Sequence, residues 1–230
     1  MNLGRNRYRK PGRRPAFRAP RKKLLIVCEG ANTEPQYFIQ FAEVHRDAIV
    51  DVDLAPERGV PLSVVREAKR LKNQAISAAK REGDPYLRYD SVWCVFDVDE
   101  HPNVPEALAM ARRNGLKVAV SNPCFELWLI LHLREAPGMI HRHSAQAMLK
   151  TFLPGYDKKV DYKDYRDGYK QAVERARRLD KLATDVGDAG RNPTTGVYKL
   201  TEAIAPPKED TDSQQGTRTP EHGGSKTRRS

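Results

Sequence analysis

Three short apolar runs, each ending on acidic or polar residues, constrain the fold of this chain more than any other feature. Leu24-Leu25-Ile26-Val27-Cys28 leads into Glu29-Gly30, and Val92-Trp93-Cys94-Val95-Phe96 leads into Asp97-Val98-Asp99. Lys117-Val118-Ala119-Val120 leads into Ser121-Asn122-Pro123-Cys124-Phe125-Glu126. Such runs read as buried strands, and helical patterns lie between them. Polar and acidic groups therefore emerge where strands surface, the edge at which open α/β sheets carry their sites.

The intervening segments follow helical spacing. Residues 34–45 place Phe38, Phe41 and His45 on one face, with Thr33 and Gln36 set as a capping box and Pro35 in the first turn. Residues 50–54 alternate like an edge or half-buried strand. A long helix is predicted over 61–82, striped by Val64, Val65, Ala68, Leu71, Ala75 and Ala79, before Gly83-Asp84-Pro85 breaks the chain. A third helix over 104–114 stops at Gly115 and feeds the strand over 116–120. The alternation predicts an α/β fold with a parallel sheet and helices on both faces.

Asn122 is set to cap the next helix with Pro123 in its first position, and residues 125–133, apolar nearly all round, predict a buried helix. Beyond His141 the strand signal ends. Tyr169, Ala172, Val173, Ala176, Leu179 and Ala183 mark a long amphipathic helix, and Pro193-Thr194 read as the opening of a last helix to about residue 204. The expected organisation is a basic disordered arm over 1–22, an α/β core over 23–140, a helical extension packed on it over 141–204, and a disordered tail over 205–230.

Charge is distributed unevenly. The formal +11 resides at the N-terminus, where residues 1–23 hold ten Lys or Arg and no acid, while residues 24–204 hold twenty-six charges of each sign. The arm is broken by Pro11, Pro15 and Pro20 and is too poor in apolar residues to fold alone. Its Arg13, Arg14, Arg18, Lys22 and Lys23 are candidates for phosphate-backbone contact; a solvated tail is the plainer alternative. Cys28, Cys94 and Cys124 form no C-x-x-C pair and read as core thiols in a reducing compartment. No apolar stretch approaches the ~20 residues of a spanning helix, and no signal-peptide pattern is present. The expectation is a cytoplasmic protein without membrane contact.

The acidic motifs carry chemistry. Residues two apart on a strand point the same way, so Asp97 and Asp99 can share one ion while Val98 faces the other side. Two carboxylates that close repel unless a hard cation with oxygen ligands lies between them, and Mg²⁺ or Mn²⁺ suits that role. Glu29, following five apolar residues, is the companion carboxylate; Glu34 lies in the next helical turn, as a second ligand or as charge compensation for the helix start. Glu126, on a buried helix, needs partners: the loop backbone at Ser121 and Asn122, or a second ion. Ser121 can donate to a substrate phosphate or serve as a turn hydroxyl. His132 reads as a core histidine, and Tyr162, Tyr165 and Tyr169 either grip nucleic acid or pack a helix.

The order Glu-Gly after a first strand and Asp-x-Asp after a later one resembles the Toprim domain, with Glu29, Asp97 and Asp99 at its three acidic positions. The wider pattern is similar, more narrowly, to the RloB-like family. It runs Val-Cys-Glu-Gly-x-x-Thr-Glu-Pro-x-Tyr-Phe, Phe-Asp-x-Asp-x-His, then Ser-Asn-Pro-x-Phe-Glu-x-Trp-x-x-x-His, with Asn192-Pro193-Thr194-Thr195 late in the chain. The resemblance covers about residues 23–204. It implies a Toprim-like, Rossmann-like fold and a metal-dependent nuclease of prokaryotic phage defence, paired with an AAA- or ABC-type ATPase. Glu29, Asp97, Asp99 and Glu126 would then be catalytic; Glu29, Glu34, Asp97 and Asp99 would hold Mg²⁺ or Mn²⁺; Ser121 and Asn122 would contact phosphate. The rival expectation is a non-catalytic nucleic-acid-binding or regulatory module that docks an ATPase. No Walker-type phosphate loop is present, so ATP-driven work would belong to another chain.

Overall fold

A computed structural model describes residues 21–54, 60–98 and 103–207. The three apolar runs become β1 (Lys22–Cys28), β3 (Ser91–Asp97) and β4 (Lys117–Asn122), joined by β2 (Ala48–Leu54) and β5 (Thr194–Thr195) in one sheet of order β2-β1-β3-β4-β5. Pairings β1–β2, β1–β3 and β3–β4 are parallel, while β4–β5 is antiparallel. The sheet is therefore mixed rather than wholly parallel. Pro193-Thr194, read from sequence as a helix start, does not open one: Thr194 and Thr195 pair with Asn122 and Ser121, and the last helix begins at Val197.

The helices are α1 (Thr33–His45), α2 (Pro61–Glu82), α3 (Val104–Arg113), α4 (Glu126–Leu133), α5 (Arg142–Phe152), α6 (Tyr169–Asp185) and α7 (Val197–Ile204). Helix α2 has the bounds its apolar stripe implies. It stops at Gly83, whose φ of 67° is the left-handed conformation that glycine adopts without steric cost and whose N–H donates to the Ala79 carbonyl. None of these helices is long and apolar enough to cross a membrane.

Strand alternation divides the interior into two cores. Leu25, Val27, Val92, Cys94 and Phe96 pack under α2 and α3. Leu24, Ile26, Cys28, Trp93 and Val95 point the opposite way, into a larger core shared with α1, α4, α6 and α7. Asp97 continues the parity of Trp93 and Val95, so its side chain belongs to the α1/α4 face. The chain runs from β1 outward to β2, then returns across β1 to β3. That reversal between β1 and β3 is the topological switch point at which doubly wound sheets bind ligands.

Residues of the 141–204 segment join the larger core directly, through Ala145, Leu149, Tyr162, Tyr165, Ala172 and Ala176. Tyr162 opens a short 3-10 turn, Tyr162–Asp164, and Tyr165 stands between it and a second, Arg166–Gly168; both are buried, so they pack inward and do not present a face to nucleic acid. His132 is the core histidine the sequence suggests. Its Nδ1 lies 2.7 Å from the Tyr165 carbonyl, which can only accept, leaving Nε2 to accept from Tyr37 Oη at 3.2 Å. Burial holds its pKa down at about 4. The three cysteines are free and buried, and burial pushes their thiols up, away from reactive thiolate.

Candidate functional site

Four carboxylates converge on a cleft of about 300 Å³ at the carboxyl edge of β1 and β3. Glu29 follows β1, Asp97 ends β3, Glu34 lies in the first turn of α1 and Glu126 opens α4. Asp97 is 9% exposed, Glu34 8% and Glu126 5%, so each has given up most of its hydration. The Asp97 backbone N–H donates to Glu29 Oε2 at 3.0 Å, which fixes the Glu29 carboxylate across the gap between the two strands. Gly30 leaves room beside it for the Glu34 carboxylate. A Cβ there would stand 2.5 Å from Glu34 Oε1 and 2.7 Å from its Cδ, closer than atoms approach without moving.

Burial and crowding act together on these groups. Burial, then Glu126 and Glu29, push Glu34 up to about 7, against its own backbone hydrogen bond and Lys158. Burial, then Glu34, Glu126 and Glu29, hold Asp97 well above the usual carboxylate range. Arg142 lies 3.7 Å from Asp97 Oδ2 and opposes the rise without cancelling it. Glu126 Oε1 accepts from Tyr156 Oη at 3.3 Å, and Tyr156 in turn lies 3.4 Å from Thr33 Oγ1. Glu126 thus finds a partner in the extension, where the sequence offered either the Ser121–Asn122 loop backbone or a second ion.

Helix α1 binds the extension through side chains that the sequence assigned to capping. The residue at its N-cap position is Asn32, not Thr33, and it makes no side-chain cap. Gln36 Oε1 accepts from the Val160 N–H at 2.9 Å; Gln40 Oε1 accepts from the Tyr162 N–H at 2.8 Å and its Nε2 donates to the Val160 carbonyl at 2.6 Å. Thr33 Oγ1 donates to the Lys158 carbonyl at 3.4 Å. These bonds lay residues 156–162 along α1 and hold Lys158 at the cleft. Arg142 and Gln146 from α5 line it too. Sequence reasoning missed Arg142 and Gln146, because α5 buries only Ala145 and Leu149 and carries a faint apolar stripe; it placed Lys158 only among the basic residues interleaved with Tyr162, Tyr165 and Tyr169, not with the acids.

Other candidates lie elsewhere. Ser121 is buried, its Oγ 2.9 Å from Thr195 Oγ1, and Asn122 Nδ2 donates to the Gly190 carbonyl at 2.9 Å. Neither lines the cleft, and Asn122, the last residue of β4, does not cap α4. Lys22 and Lys23 start β1, about 20 Å from Glu29 at ~3.3 Å per residue. Lys23 is engaged there with Asp51 at 3.6 Å and with the Tyr89 ring. Asp99, Glu100 and His101, like Arg13, Arg14 and Arg18, lie outside the described residues.

The donor chemistry of the cleft fits a hard divalent ion: carboxylate oxygens, crowded and costly to ionise together. Among the described residues, however, no three Asp, Glu, His or Cys side chains stand as a ready ligand set.

A doubly wound, Rossmann-like α/β domain with an acidic cluster at its switch point is the class that fold and site define. Residues 24–204 match the family described as RloB-like protein, and the chain belongs to that family, with its Toprim-like fold. No curated protein is similar enough to count as a relative.

Proposed function

We propose that this protein is a Mg²⁺- or Mn²⁺-dependent phosphodiesterase acting on DNA or RNA, working in prokaryotic phage defence beside an AAA- or ABC-type ATPase supplied by another chain. The observation that carries the reading is the meeting of Glu29, Glu34, Asp97 and Glu126 in one cleft at the switch point, in a chain of the RloB-like family. Glu29, Asp97 and Asp99 would hold the ion, with Glu34 and Glu126 auxiliary. A bound divalent ion supplies charge neutralisation at the phosphate and a lowered pKa for an attacking water.

The protein's own groups prepare that chemistry. Glu29 is aligned by the Asp97 N–H, Asp97 by its position at the end of a buried strand, and Glu126 by the Tyr156 hydroxyl. Burial of three of the four carboxylates excludes water from their inner sides and strengthens their interaction with any cation. An Asp97→Asn variant should remain folded and lose metal-dependent cleavage; full cleavage by that variant would refute the reading.

A second reading, a non-catalytic module that docks an ATPase, draws on the lack of a ready ligand trio among the described residues. It requires that neither Mg²⁺ nor Mn²⁺ bind, which calorimetry measures directly, and that carboxylate substitutions alter stability or assembly more than catalysis.

A further inference from the structure

The carboxylate cleft has a cationic wall that no motif announces. Arg142 and Gln146 lie four residues apart on α5, one turn and the same face, and both line the cleft together with the acids. Lys158 lines it from the segment that Thr33, Gln36 and Gln40 hold against α1. Its backbone adopts φ 54°, a left-handed conformation that costs a residue with a Cβ about 1–2 kcal/mol. A lysine kept there by three neighbouring side chains is placed, not left over, and strain of this kind concentrates at ligand-holding positions. Its side chain is exposed, so burial does not explain the placement.

Charge gives the wall its task. Residues 24–204 carry equal numbers of acids and bases, and in the cleft the acids outnumber the bases. A phosphodiester approaching four carboxylates is repelled unless cations meet its outer oxygens. Arg142, only partly exposed, forms an ion pair with Asp97 at 3.7 Å and so carries its positive charge at the inner end of the cleft. Its guanidinium fork suits two oxygens of one phosphate. Gln146 adds an amide donor on the same helical face.

We infer that Arg142 and Lys158, assisted by Gln146, hold the phosphodiester backbone of the nucleic acid in the cleft, contacting phosphate and not bases. This rests on the nuclease reading of the site. It makes the helical extension part of the substrate site, and it assigns backbone recognition to the carboxyl edge of the sheet, whereas the basic arm joins β1 at the opposite edge. Contacts of this kind position the strand without reading its sequence.

The test measures binding of a labelled, short single-stranded oligonucleotide to the full chain by fluorescence polarisation across a salt series, in calcium buffer and again in EDTA. Each lost phosphate contact flattens the log–log salt dependence by about 0.7 for a single strand. The Arg142→Gln/Lys158→Gln variant should bind more weakly with a slope flatter by about 1.4, and Lys158→Gln alone by about 0.7. Charge-keeping Arg142→Lys and Lys158→Arg should retain the wild-type slope. In cleavage assays with Mg²⁺, Lys158→Gln should raise KM more than it lowers kcat.

Unchanged affinity and slope in Lys158→Gln, whose exposed side chain leaves folding intact, would overturn the inference, as would a wild-type protein that binds no oligonucleotide in either buffer. A protein that binds with the expected slopes yet never cuts would instead fail the phosphodiesterase reading and leave the backbone-holding role standing.

Discussion

Replacing Glu34 by glutamine removes a buried carboxylate whose titration falls in the neutral range. Burial, with Glu126 from α4 and Glu29 from the end of β1, pushes Glu34 up to about 7, while Lys158 acts the other way. In the unfolded chain the same carboxyl titrates in its ordinary range. Between those two values the folded protein keeps a proton that the unfolded chain has released, so this group's contribution is complete at low pH and is lost as pH rises through about 7. At ~1.4 kcal/mol per pH unit the loss amounts to about 3 kcal/mol by about pH 8. Glutamine keeps the shape and cannot ionise. In metal-free buffer Glu34→Gln should therefore melt with the wild type at about pH 4 and be about 3 kcal/mol more stable at about pH 8, or roughly 6–12 °C higher in Tm for a domain of this size. His132, lowered by burial, gives an opposite slope over about pH 4 to 6.5; it is common to both proteins and cancels in the difference. Equal melting at about pH 8, or a less stable variant there, would show that Glu34 is ionised and paired, and would refute the electrostatic account.

Three further outcomes are expected. Gly30→Ala should displace the Glu34 carboxylate, whose Oε2, Oε1 and Cδ its Cβ would all meet inside contact distance, leaving a folded protein by circular dichroism with cleavage reduced on the order of 100-fold, the cost of about 1 Å of misplacement at a reacting centre. Gly168→Ala drives a Cβ into the His132 backbone carbonyl on α4, an overpacking that should cost about 1–3 kcal/mol in urea unfolding by prising the extension from the core. Asp97→Asn should hold or raise the Tm in metal-free buffer, since it removes a buried carboxyl whose ionisation burial and its acidic neighbours oppose, while cutting metal-dependent cleavage on the order of 1000-fold.

The strands were legible because each is a short apolar run whose alternate residues serve two different cores; the parity that sends Leu24, Ile26 and Cys28 to one side also places Asp97 among Glu34 and Glu126. Helix α2 was legible from its stripe and its glycine stop. The failures come chiefly from pairing over long sequence distance. Thr33 and Gln36 have the local spacing of a capping box, yet Gln36 spends its side chain on Val160, 124 positions away. Thr194-Thr195 is a two-residue strand whose only cause is the open edge of β4 at Ser121 and Asn122. Helix α5 buries just Ala145 and Leu149, too few to mark a stripe. Arg142 and Lys158 acquire meaning only from the acids they face, which stand far earlier in the chain.

The central claim is that the acidic cleft cleaves nucleic acid with the help of a divalent ion. Its most direct test incubates the pure chain with Mg²⁺ or Mn²⁺ and labelled plasmid, single-stranded DNA and transfer RNA, beside Asp97→Asn of matched Tm. The account expects cutting that requires the ion, stops with EDTA and is lost in the variant; cutting that persists undiminished in Asp97→Asn, or in EDTA, would contradict it.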